Sequence, residues 1–134
     1  ISMASKDSRQ TEKNHHLIQA MGHAMDGIFD VISQERNMRY HLTAAIVVVI
    51  LGFLLRVDRL EWLWLLLAIL VVFSAEFLNT VTEAVTDLLG EHHYDVNVKK
   101  AKDVAAGGVL ITAIFAVLVG LIIFLPRIIK LLGY

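Results

Sequence analysis

The chain has 134 residues, 57% of them hydrophobic, with one proline, no cysteine and a formal charge of −1 at pH 7. Soluble domains carry about 45–50% apolar residues, so this composition, with a mean hydropathy of +0.65, indicates a membrane protein. Without cysteine there is no disulfide framework, thiol nucleophile or cysteine-bound metal, and the near-neutral charge argues against a nucleic-acid partner.

Residues 1–16 are polar, lack an apolar period and read as a flexible tail. Ile1-Ser2 ahead of Met3 reads as an added remnant, and no apolar core of a cleavable signal peptide precedes Leu17. From there Leu17, Ile18, Met21, Met25, Ile28, Phe29 and Ile32 follow the helical period, with Gln19, His23, Asp26 and Asp30 mostly opposite. Residues 17–34 are therefore expected to form an amphipathic helix lying at a membrane interface.

Three spans should follow. Residues 38–57 give the roughly 20 residues that a crossing needs. Arg56-Val-Asp-Arg59 is a short connection, so the second span, 62–89, should run antiparallel, with Trp62 and Trp64 at an aromatic belt. Residues 90–100 form a polar loop in which Asp95 or Asn97 can cap the next helix. The third span covers about 101–125; Pro126 should end it and 128–134 should be a tail. The expected fold is all-α: an interfacial helix plus three transmembrane helices.

Lys and Arg residues number eight on the side of the N-terminus and the 90–102 loop, against four at the other ends (Arg56, Arg59, Arg127 and Lys130). That bias favours a cytoplasmic N-terminus.

The second span ends in a polar column. On a helix wheel Asn79 lies roughly 60° from Glu76, and Glu83 and Asp87 each roughly 20° from it. Ionisable groups at membrane depth cost at least ~2.5 kcal/mol each, so they usually mark chemistry or transport. Glu76 should sit deepest, where desolvation makes a carboxylate a better proton acceptor. Glu83 and Asp87 lie nearer water, suited to a hard cation such as Mg²⁺. The plainer reading is that these groups hydrogen-bond neighbouring helices in an oligomer, with Asp87 simply solvated. Glu35, between the interfacial helix and the first span, could add a second carboxylate or merely pair with Arg36. Lys102-Asp103 opens the third span, where a lysine at a helix N-terminus suits a phosphate or simply marks the membrane boundary. His92 and His93 in the preceding loop could contact a nucleotide. No Walker or protein-kinase glycine loop is present.

Glu76-Phe-Leu-Asn-Thr-Val-Thr-Glu-Ala-Val-Thr-Asp87 resembles the signature E-x-x-N-S/T-x-x-E-x-x-x-D, and Ala101-Lys-Asp-Val-Ala-Ala-Gly107 resembles A-K-D-x-x-A/S-G/A. Both are blocks of the prokaryotic diacylglycerol kinase/undecaprenol kinase family, and the resemblance extends over roughly residues 15–127. It implies a bacterial cell-membrane lipid kinase using ATP and Mg²⁺, built as a homotrimer with composite sites between subunits and a cytoplasmic active site. Position by position, it implies Glu76 as the proton acceptor and Asn79 as a supporting polar residue. Glu35 and Glu83 fall at the carboxylates that hold the metal on ATP, and Lys102 and Asp103 at the nucleotide-contacting pair. His23 falls at a further ATP contact, and Glu91, His92 and His93 in the nucleotide loop.

Two departures stand out. Tyr94-Asp-Val-Asn97 replaces a Pro-Leu-Ala type stretch, and Ala106 stands where Gram-negative members have serine. Glu35-Arg-Asn-Met38, Ala105-Ala-Gly107 and Gly120-Leu-Ile-Ile-Phe-Leu-Pro126 resemble the Gram-positive branch. The expected substrate is therefore undecaprenol, with diacylglycerol as the alternative. A proton- or cation-conducting oligomer fits less well, because Leu63–Phe73 offers no polar group along the bilayer. A non-catalytic adaptor would tolerate neutral substitutions in the column.

Overall fold

The computed structural model describes residues 2–91 and 93–134, with side chains from Thr11 onward. Four helices follow in order: α1 (Ser2–Gln34), α2 (Arg36–Leu54), α3 (Arg59–Leu89) and α4 (Val96–Leu131). The architecture is all-α, as the apolar pattern implies, and it falls into two units, residues 1–35 and 36–134.

The first unit is α1. It starts at Ser2, well ahead of the expected Leu17. Residues 2–16 contain Ala, Lys, Arg, Gln and Glu but neither Gly nor Pro, so no strong breaker halts the helix there. Leu17, Ile18, Met21, Met25 and Phe29 are all exposed along it. The Glu35 amide donates to the Val31 carbonyl at 3.0 Å, closing the last turn.

In the second unit, α2, α3 and α4 are each long and apolar enough to cross a bilayer. At ~1.5 Å per residue α2 is about 28 Å long, close to the hydrocarbon thickness, whereas α3 is about 46 Å and α4 about 54 Å. Many Leu, Ile and Val side chains of all three are exposed, as lipid-facing residues should be.

The α2–α3 reversal is tight. Arg56 adopts φ 53°, a left-handed conformation uncommon for a non-glycine residue, and the Val57 amide donates to the Gly52 carbonyl at 3.1 Å. Asp58 then caps α3. Its Oδ1 accepts from the Glu61 amide at 2.8 Å, and Glu61 Oε1 accepts from the Asp58 amide at 3.4 Å, a reciprocal capping box. Gly52 leaves room for Trp62: a Cβ there would lie 2.5 Å from the indole. The Phe53 and Trp62 rings pack at a centroid distance of 4.8 Å. Trp62 thus packs on α2 rather than serving only as a belt residue, while Trp64 remains exposed.

Asp95 caps α4, its side chain accepting from the Asn97 amide at 2.7 Å. The helix begins before the expected residue 101 and passes through Pro126 to Leu131. Proline removes one backbone donor, but stopping the helix in an apolar medium would strand several polar groups, so continuation costs less. Most of the residues assigned to a C-terminal tail are therefore helical. Arg127, just past the proline, forms an ion pair with Glu61 and reaches the Leu55 carbonyl at 3.5 Å. Val57, Leu65, Ala68, Val119, Ile123 and Phe124 form the buried core beside this contact. The core therefore lies toward the α2–α3 turn, and the polar column lies at the other end.

Candidate active site

The column on α3 is graded by burial. Glu76 is 0% exposed and Asn79 8%, Glu83 is half-buried, and Asp87 is exposed. Thr80, Thr82 and Thr86 donate their hydroxyls to carbonyls on the preceding turn, so none of the three claims the carboxylates. The Asn79 Oδ1 is buried with no hydrogen-bond partner among the described residues. An unsatisfied buried acceptor costs about 1–3 kcal/mol, so a ligand hydroxyl one turn from Glu76 would relieve a real penalty.

Glu76 has a neighbour that the sequence reading passed over. His41, near the start of α2, places Nε2 3.6 Å from Glu76 Oε2, with 23% of the His41 side chain exposed. The signal was present, because His41 is an ionisable side chain inside the 38–57 span, and such residues are functional candidates. His41 is also the one titratable residue lining an apolar cavity of about 290 Å³ between α2, α3 and α4. Ala44, Ala45, Ala68, Ala113, Ala116 and Gly120 keep that cavity open by their small size.

The polar end of the unit is built by α3, the loop and α4. Lys102 Nζ pairs with Asp87 Oδ1 at 2.5 Å, and Lys99 Nζ pairs with Asp103 Oδ2 at 2.5 Å. Glu83 lies within electrostatic reach of the Lys102 ammonium. A cavity of about 510 Å³ is lined by Asp87, Gly90, His93, Lys99, Lys102 and Asp103 among others. Pockets of 300–1,000 Å³ are usual for small ligands. Gly90 permits the close turn there: a Cβ would sit 3.1 Å from the Thr86 carbonyl and 3.3 Å from Val98.

The structure therefore gathers His93, Lys102 and Asp103 around one cavity. It seats Glu76 and Asn79 deeper on the adjoining helix, and Glu83 lies between the two groups. Glu91 is exposed and does not line that cavity. His92 lies outside the described residues. His23 and Glu35 belong to the first unit, His23 exposed on α1 and Glu35 half-buried directly after it. Among the described residues no group of three or more His, Asp or Glu is placed to hold a metal. Mg²⁺ is usually held by one or two carboxylates with substrate phosphates and water completing the shell, so isolated carboxylates such as Glu83 suit a metal that arrives with a nucleotide.

Three helices long enough to span a membrane thus carry a sealed carboxylate on α3 and, about three helical turns further along it, a lysine-lined cavity. The chain belongs to the prokaryotic diacylglycerol kinase family, whose model matches residues 22–124. It is 39% identical over 125 residues to the undecaprenol kinase of Bacillus subtilis, covering 93% of this chain and 99% of that protein. It is 34% identical over 117 residues to the diacylglycerol kinase of a Synechocystis species, covering 87% of this chain and 67% of that protein. Identity to the Escherichia coli K12 diacylglycerol kinase is 29% over 102 residues, covering 76% of this chain and 83% of that protein. The chain is thus a multi-pass membrane lipid kinase that draws phosphate from ATP.

Proposed function

We propose that this chain phosphorylates undecaprenol at the cytoplasmic face of a bacterial cell membrane, as a homotrimer using Mg²⁺ and ATP. The observation that carries this reading is the placement within one unit of a solvent-sealed carboxylate, Glu76, and a lysine-lined cavity about three helical turns further along α3. The relative named for undecaprenol, which matches over nearly the full length of both proteins, supports the choice of lipid.

The lipid hydroxyl, approaching from the bilayer, donates to Glu76, with Asn79 Oδ1 as a second acceptor on the same face. Glu76 takes the proton as the hydroxyl oxygen attacks the γ-phosphorus, the bond to the β-phosphate oxygen breaks, and ADP departs. Catalysis of this kind is mostly positioning and charge compensation. Lys102 would exchange Asp87 for phosphate oxygens, and Asp103 and the histidine loop would hold the nucleotide. Glu83 and Glu35 would hold Mg²⁺, which when bound offsets phosphate charge. His23 and Glu91 are proposed as further nucleotide contacts. Exclusion of water from Glu76 favours transfer to the lipid over ATP hydrolysis.

Diacylglycerol is the competing acceptor, favoured by the names of two relatives. Ion conduction is disfavoured by the apolar core that fills the far half of the unit. The deciding experiment presents purified protein with undecaprenol and diacylglycerol side by side, with ATP and Mg²⁺. Undecaprenyl phosphate should dominate; phosphatidic acid as the main product would reverse the substrate assignment, and no phospholipid from either would end the kinase reading.

A further inference from the structure

Resting on that reading, we propose that His41 is a positioning residue acting through Glu76: it orients the carboxylate and carries the captured proton away after each transfer. Glu76 must be returned to its deprotonated form once per turnover, yet at 0% exposure it has no direct access to water. His41 Nε2 stands 3.6 Å from Glu76 Oε2, and its side chain is 23% exposed, so the imidazole spans from the sealed carboxylate toward the surface. The gap is about half an ångström beyond a hydrogen bond, and catalytic contacts often tighten only when substrate is bound.

The surroundings single this pair out. From α3 the group facing His41 is Glu76, with Asn79 and Glu83 further along the same helix face. From α4 the residues around the shared cavity, Ala113, Ala116, Val117 and Gly120, carry no titratable group. On α2 itself Arg39 and Tyr40, just before His41, are exposed. The proton account balances: the hydroxyl proton moves to Glu76 as the O–P bond forms, then to neutral His41 Nε2, and imidazolium releases it to water. Two protein groups end the cycle as they began, and no outside reactant is consumed.

The test measures kcat and the ATP KM of the full-length protein in bilayer discs between pH 5 and 9, for the wild type, His41→Gln and His41→Ala. The wild type should show a falling acidic limb, because His41 must be neutral to accept the proton from Glu76. His41→Gln should lower kcat by roughly tenfold or more, lose that limb, and keep its ATP KM within about twofold. Added imidazole should restore at least part of the His41→Ala rate. Unchanged kcat in both variants would overturn the inference. So would reduced kcat with the acidic limb retained and no response to imidazole, since that pattern describes packing alone. Failure of the wild type itself to phosphorylate any lipid alcohol would instead remove the kinase reading beneath it.

Discussion

Glu76 and Glu83 lie seven residues apart on one helix, yet their substitutions should have different signatures. Glu76→Gln keeps shape and hydrogen bonding but cannot take a proton. Turnover should fall by at least about 100-fold, while nucleotide affinity by calorimetry stays within about twofold. Retained turnover would take Glu76 out of the proton-acceptor role. Glu83→Gln should act on the nucleotide instead, raising the Mg²⁺ concentration for half-maximal rate by about tenfold or more; an unchanged Mg²⁺ titration would count against its role as a ligand. The difference follows from burial, because Glu76 is sealed and Glu83 is half-buried within reach of Lys102.

At the scale of elements, the α2–α3 turn is where side-chain geometry most tightly specifies the fold. Gly52→Ala would drive a methyl to 2.5 Å from the Trp62 ring. Overpacking of this kind costs about 1–3 kcal/mol, read as a lowered thermal midpoint in detergent with kcat intact. The cap makes a second prediction. The Glu61 backbone hydrogen bond, followed by its side chain, holds the Asp58 carboxyl below its usual 3.8. A depressed carboxyl contributes stability that is present above its unfolded value and lost as pH falls through the folded one. Asp58→Asn should therefore flatten stability against pH below about 4 relative to wild type; equal slopes would deny the cap a charge-dependent role. Uncharged runs made the three spans legible in the sequence, whereas Asp58 was read only as part of the short connection at 56–59. The helical start at Ser2 was not legible, because residues 2–16 lack an apolar period, and nor was the passage through Pro126, because breaker statistics come from water, where a freed carbonyl finds a partner. His41 escaped notice because its meaning depends on α2 lying level with Glu76, a contact between residues 35 positions apart in sequence.

At the scale of the molecule, one chain leaves part of the proposed chemistry to its assembly. The proposed homotrimer would place composite sites between subunits, and the test is whether Glu35 and Glu76 of a single site come from different copies; if they do, complementation follows. Co-reconstituting Glu35→Gln with Glu76→Gln protein, each inactive alone, should then restore about a quarter of wild-type activity in randomly mixed trimers. No recovery would place both carboxylates in one chain. Cross-linking that yields monomers alone would remove the trimer.

The Arg127–Glu61 contact also bears on how the protein is made. It joins residues 66 positions apart, so the guanidinium that reaches both Glu61 and the Leu55 carbonyl is synthesised only after the residues of α2 and α3. Until α4 arrives, Glu61 faces the far membrane boundary without its cation. A nascent chain halted before Arg127 would therefore lack the cation that ties the start of α3 to α4.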